Sequence, residues 1–356
     1  MHLFDSDYLE GCLPEILQAL SRTNYEQTPG YGEDPHCAEA RELIRKACGN
    51  PDADVHFLVG GTQTNATVIS ALLRPHQAVL CADSGHINVH ETGAVEHSGH
   101  KVIGLPSSEG KIRASQIGEA LKAHYADPCR EHTPQPAMVY ISFPTELGTI
   151  YTLDELKAVS AVCRENDIPL FVDGARLGYG LCASRGDVTL KDLAALADVF
   201  YIGGTKQGAL FGEAVVFKDD SLSRDFRYHI KQNGGMLAKG RLLGIQFAEL
   251  MRDGLYLRAA EGAVAGALKI KDAFAAAGYT FLVDSPSNQQ FPILPDALCA
   301  RLREKFSFED WVKVDADHTA VRFCTSWATT DEAVEELIAS IQTRVCGTLV
   351  VTSTAV

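Results

Sequence analysis

The chain has 356 residues, of which 46% are hydrophobic and 22% charged, with a formal net charge of −14. That composition supports a large buried core and excludes disorder. The acidic balance excludes a nucleic-acid binder built on a basic face, and no polybasic cluster suits a lipid surface. The length predicts two domains, or one large core with a smaller lobe.

The first ten residues, Met1 to Glu10, have neither a basic nor an apolar stretch, so they do not read as a signal peptide. No run approaches the roughly 18 apolar residues of a membrane helix. Ten cysteines are scattered without a CxxC pair. They are expected to be reduced thiols of a cytoplasmic protein, not a disulfide framework or a zinc site.

Short apolar runs alternate with helical patterns from residue 55 onward. The expected strands are Val55–Val59, Ala78–Ala82, Lys101–Leu105, Met138–Ser142, Pro169–Asp173, Val199–Ile202 and Ala214–Phe217. Near-continuous apolar runs indicate strands buried on both faces, as in a mainly parallel α/β layer. Helices are expected at Thr64–Leu73, Ala114–Tyr125 and Leu153–Asn166. The last opens with Thr152 and Glu155 spaced as a capping box. From about Gly234 the texture changes to long helices at Leu242–Met251 and Ala259–Ala277. Short strands at Thr280–Val283, Gln290–Leu294 and Thr319–Phe323 follow, then a helix at Asp331–Thr343. This predicts an N-terminal segment (1–29), a large α/β domain (30–245) and a smaller α+β domain (246–356).

Three stretches carry chemistry. Gly60-Gly61-Thr62-Gln63-Thr64-Asn65 follows a strand and opens a helix, which suits an anion, although a plain βα turn has the same residues. It is neither a Walker A loop nor a GxGxxG fingerprint. Asp173, in Asp173-Gly174-Ala175-Arg176, ends a buried strand where α/β sheets place ligands. A helix cap or an ion pair to Arg176 would also explain it. Lys206, after Gly203-Gly204-Thr205, is a surface charge or a Schiff-base amine. The order of the three favours the amine. Pyridoxal phosphate needs a phosphate loop, an anion for its pyridine nitrogen and an amine for its aldehyde.

In this combination the sequence resembles the threonine aldolase and aromatic β-eliminating lyase family, from Phe4-Asp5-Ser6-Asp7 to Thr325-Ser326-Trp327. The resemblance implies the fold of type-I pyridoxal-phosphate enzymes. That fold has a large domain with a mostly parallel seven-stranded sheet, plus a smaller C-terminal α+β domain. It further implies that Gly61, Thr62, Gln63 and Asn65 form the phosphate loop. Lys206 takes the Schiff-base position, beside Thr205. Asp173 keeps the pyridine nitrogen protonated. His86, in Ser84-Gly85-His86-Ile87 with Glu91, stacks on the ring and relays a proton. Ser6, Tyr31, Arg176 and Arg322 hold the substrate, Arg176 serving the cofactor too. His86 and His90, spaced i, i+4, with Glu91 also fit a metal site from their residues alone, but the resemblance implies no metal.

Two positions depart from the family pattern. Glu146 stands where family aldolases often carry a histidine near the substrate hydroxyl. Leu237 stands where a neighbouring subunit often supplies an arginine, so Lys231 or Lys239 is left for that task. The expected reaction is cleavage of L-threonine or L-allo-threonine, a small β-hydroxy-α-amino acid, to glycine and acetaldehyde. Its rivals are β-elimination from tyrosine, tryptophan or a cysteine derivative, and a non-catalytic anion-binding α/β protein. The expected assembly is a homodimer or homotetramer with shared active sites.

Overall fold

The computed structural model describes residues 1–342. Seven strands form the central sheet: β1 (Asp54–Leu58), β2 (Gln77–Ala82), β3 (Lys101–Leu105), β4 (Gln135–Ser142), β5 (Leu170–Asp173), β6 (Val199–Gly203) and β7 (Glu213–Phe217). Their spatial order is β1-β7-β6-β5-β4-β2-β3. Only β7 runs against its neighbours, pairing antiparallel with both β1 and β6. The seven expected strands are all present.

The sheet is buried on both sides because its apolar residues alternate between two layers. Val139, Ile141, Val172, Phe200 and Ile202 face one layer. Tyr140, Phe171, Tyr201 and Val215 face the other. Full burial of one such aliphatic or phenylalanine side chain contributes about 1.5–3 kcal/mol, so the two-sided pattern dominates the stability of the layer.

Helices α1 (Pro14–Arg22) and α2 (Pro35–Cys48) precede the sheet. Helices α3 (Gly61–Leu72), α4 (Ala114–Ala126) and α5 (Leu153–Glu165) connect its strands. The capping box of α5 forms as expected: Thr152 Oγ1 accepts from Glu155 N–H at 3.2 Å, and Glu155 Oε2 accepts from Thr152 N–H at 2.8 Å. Helix α6 (Arg241–Met251) packs on α2, and α7 (Leu255–Ala276) leads into the smaller lobe.

That lobe differs from expectation in three places. Thr280–Val283 forms no strand and makes only an isolated bridge between Phe281 and Pro292. The expected strand at 290–294 is split into β8 (Gln289–Gln290) and β9 (Ile293–Pro295). Pro292 between them has no N–H to give to a ladder; its carbonyl instead accepts from Val321 N–H at 3.0 Å. Strand β11 (His318–Cys324) pairs with β8, β9 and the unforeseen β10 (Glu309–Lys313). Helix α8 (Asp331–Gln342) closes the described chain; its expected last residue, Thr343, lies outside the described residues.

The N-terminal residues belong structurally with this lobe. His2–Leu3 pair parallel with Phe306–Ser307, and Phe4 is fully buried between Phe306 and Phe323. The pairing carries Asp5, Ser6 and Asp7 toward the large sheet.

Candidate active site

The parallel strands end together on one side of the sheet, and there lies a cleft of about 320 Å³. The register places Ser142 beside Asp173, and Gly203 beside Glu213. Gly61 and Thr62, His86, Glu146, Asp173, Arg176, Thr205 and Lys206 all reach the cleft. Sequence segments spread over more than 140 positions thus converge, and the crossover topology does the gathering.

Asp173 is the best-held group. Tyr140 Oη donates to its Oδ2 at 2.5 Å, Tyr201 Oη to its Oδ1 at 2.5 Å and Asn65 Nδ2 to its Oδ2 at 3.0 Å. Ala175 N–H donates to Oδ1 at 2.9 Å. Burial pulls the carboxyl pKa up, but the His86 charge and the two tyrosine hydroxyls outweigh it, so the net shift is downward. Asp173 is therefore a fixed anion at neutral pH. Two glycines make this packing possible. A Cβ at Gly174 would lie 1.8 Å from the Tyr201 carbonyl, and one at Gly61 would press on the Tyr201 hydroxyl at 3.2 Å.

Helix α3 begins at Gly61, and no side chain caps it. Its first-turn N–H groups face the cleft at Gly61 and Thr62, which makes an anion site. Gln63 turns away: Val59 N–H donates to its Oε1 at 3.2 Å, and its Nε2 donates to the Asn233 carbonyl at 3.0 Å. Asn65 is a bridge, giving its Nδ2 hydrogens to both Asp173 and Glu91 Oε1 (2.8 Å).

His86 Nδ1 donates to Glu91 Oε1 at 2.7 Å. Burial works against charging the imidazole, but the Glu91 hydrogen bond and the Asp173 charge overcome it, and the pKa is raised. His86 N–H and the Ser142 hydroxyl both donate to Glu146 Oε1, at 2.9 and 2.7 Å. Burial dominates at Glu146 and raises its carboxyl pKa. The cleft therefore sets an imidazole and a carboxyl side by side, each with its pKa raised. Among the described residues no cluster of three or more histidine, cysteine or acidic side chains is arranged to hold a metal ion.

Lys206 stands opposite, with Nζ 6.0 Å above the Tyr8 ring. Burial and the Arg176 charge depress its amine pKa, against the pull of Asp7, Asp173 and Glu213. Arg176 lies on the cleft wall, but its fork is engaged: Nε and Nη2 donate to the fully buried Asp7 carboxylate at 2.6 and 3.0 Å. Thr205 Oγ1 donates to Glu213 Oε1 at 2.9 Å.

Besides Gln63 and Asn65, four expected residues do not line this cleft. Ser6 is buried beside it with no protein partner for its hydroxyl. Arg322 Nη2 donates to the Asp5 carbonyl at 2.8 Å, while the guanidinium pairs with Glu309 and stacks 5.4 Å over Trp311. Its Nε is buried without a partner. Tyr31 and Lys231 sit together at the surface, the ammonium 4.9 Å over the ring. Asp7, Tyr140, Tyr201 and Glu213 received no role from sequence reasoning, and Glu91 only that of a companion to His86 and a candidate metal ligand. Asp7 and Glu91 stand inside the motif segments, but the tyrosines and Glu213 read as ordinary strand residues.

The donor set fits pyridoxal phosphate: an anchored anion, an uncapped helix N-terminus, an imidazole and an amine of depressed pKa around one cleft. These features define a pyridoxal-phosphate enzyme of fold type I. The chain belongs to the β-eliminating lyase family, whose pattern matches residues 4–290. It is 33% identical to a low-specificity L-threonine aldolase of Pseudomonas sp. over 95% of this chain and 96% of that protein. A threonine aldolase structure from Leishmania major superposes with a TM-score of 0.93 at 43% identity, covering 96% of this chain and 98% of that one. The aspartate aminotransferase of Thermus thermophilus shares the fold alone, with a TM-score of 0.68 at 16% identity over 95% of this chain and 90% of that one.

Proposed function

We propose that the protein is a pyridoxal-phosphate-dependent aldolase that cleaves L-threonine and L-allo-threonine to glycine and acetaldehyde. The observation that carries this reading is the placement of Glu146. It is held by His86 N–H and Ser142 on the same cleft wall as His86, across from Lys206. A base there faces the substrate's β-hydroxyl side.

Bound in the cleft, the cofactor supplies an electron sink for the pair released when Cα–Cβ breaks. Lys206 provides the amine for its aldehyde, Asp173 the anion for its ring nitrogen, and Gly61, Thr62 and the α3 N-terminus the seat for its phosphate. Glu146 takes the β-hydroxyl proton, with His86 as the relay through water. The substrate carboxylate is held by Arg322 and Ser6, whose Nε and Oγ have no protein partner. Arg176, tied to Asp7, holds its edge of the cleft rigid. By fixing the substrate carboxylate, Arg322 and Ser6 would set which bond at Cα is oriented to break, so carboxylate placement would select the reaction.

Tyr31 and Lys231 are exposed and away from their own cleft, which supports a homodimer or homotetramer in which they serve a neighbour's site. Sedimentation showing a fully active monomer would contradict this. The nine cysteines among the described residues are free thiols, which supports a cytoplasmic setting. No described helix is long and apolar enough to cross a membrane.

The test is product analysis with both diastereomers. Glycine and acetaldehyde in equal amounts support aldol cleavage. A 2-oxo acid with ammonia would establish β-elimination instead.

A further inference from the structure

We propose that Glu213 is the positioning residue of Lys206: it clamps the loop that carries the amine and is the counter-charge that holds the amine's proton in the cofactor-free enzyme. Glu213 opens β7 opposite Gly203, the last residue of β6, and is 3% exposed. Its two oxygens are used on the two residues before Lys206. Gly204 N–H donates to Oε2 at 3.2 Å, and Thr205 Oγ1 to Oε1 at 2.9 Å. Thr205 Oγ1 in turn accepts from Gly212 N–H at 3.1 Å, which locks both arms of the turn.

A glutamine has one acceptor oxygen and could take only one of those two donors, so the pair of contacts calls for a carboxylate. Burying a carboxylate with only two neutral donors is costly, so an ionisable group at this place needs a charged partner. Lys206 lines the same cleft, two residues beyond the clamped Gly204, and its positive charge acts on Glu213 without a direct ion pair. The other groups facing Glu213 are Asp173, Tyr201 and Tyr256. Those facing Lys206 are Arg176, Asp7 and Asp173. Burial pushes the Glu213 carboxyl up to about 8, against the pull of Thr205 and Lys206.

The test uses cofactor-free protein, so its outcome does not depend on which amino acid is cleaved. The inference rests on the proposed function only for Lys206 being the cofactor's amine. Acetic anhydride labelling of Lys206 is followed across pH by peptide mass spectrometry, with E213Q and E213D compared. Removing the negative charge lowers the amine pKa, so in E213Q the labelling midpoint falls by about one pH unit or more. Below the midpoint that is about a tenfold faster reaction at fixed pH. E213D keeps the charge and returns the midpoint toward wild type. A midpoint unmoved in E213Q would reduce Glu213 to a structural clamp and overturn the proposal.

Infrared spectra of K206A and of K206A/E213Q test the same claim from the other partner. Without the ammonium, Glu213 is expected to show a carboxylic-acid carbonyl band at neutral pH that the double variant lacks. An ionised Glu213 in K206A would also overturn it.

Discussion

The Tyr201 hydroxyl, on the strand beside Asp173, donates to Asp173 Oδ1 at 2.5 Å. The contact ties the core of the sheet to the group that governs the cofactor ring. In Y201F, Asp173 keeps Tyr140, Asn65 and Ala175 as donors but loses one charge-assisted hydrogen bond. Urea unfolding is expected to show a loss of about 1.5–3 kcal/mol. Cofactor affinity falls with it, because the carboxyl pKa rises.

Asp7 and Arg176 form a bidentate, buried pair between the N-terminal segment and the cleft wall. D7A leaves the guanidinium uncompensated and is expected to cost about 3–5 kcal/mol of stability by denaturant unfolding. Burial raises the Asp7 carboxyl pKa, but the Arg176 charge outweighs it, and the folded value lies below the ordinary 3.8. The pair's contribution is therefore complete above that pH and is lost as pH falls through the lower folded value.

The His86–Glu91 contact keeps the imidazole charged at higher pH than usual. In E91Q the His86 titration midpoint, read from its ring proton shifts by NMR, is expected to fall. The charged pairing contributes stability below the ordinary histidine value of 6.5 and loses it as pH rises through the elevated folded value. An unchanged midpoint in E91Q would remove Glu91 from the relay.

Glu146 must be ionised to accept a proton, and its raised pKa places that step on the acid limb of the activity profile. E146Q is expected to lower kcat for L-threonine by about a hundredfold or more while the cofactor stays bound. The acid limb that depends on Glu146 disappears with it. Full turnover in E146Q would transfer the role to His86 alone.

Much of this was legible in the sequence because the central strands are buried on both faces, and an apolar run such as Met138–Ser142 has no other good home. The Gly-flanked Lys206 and the strand-end Asp173 were legible for a similar reason, since their neighbours mark tight approaches. Helix α2 was also written in plain signals that sequence reasoning passed over. Asp34 caps it by accepting from Cys37 N–H at 2.9 Å, Pro35 follows at its first turn, and Gly49 ends it at φ 64°. Tyr140, Tyr201 and Glu213 were not legible. Their roles come from the order in which β4, β5, β6 and β7 lie side by side, a long-range fact that no local pattern encodes. Pro292 shows the opposite limit: its effect on the expected strand at 290–294 follows from a missing N–H visible in the sequence.

The most direct test of the central claim is an absorption spectrum of the protein with pyridoxal phosphate, for wild type and K206A, with acetaldehyde measured after adding L-threonine. A visible band that depends on Lys206, together with acetaldehyde release by the wild type, is the expected result. Acetaldehyde release at the wild-type rate from K206A, or a wild-type protein that binds the cofactor and releases none from either threonine diastereomer, would contradict it.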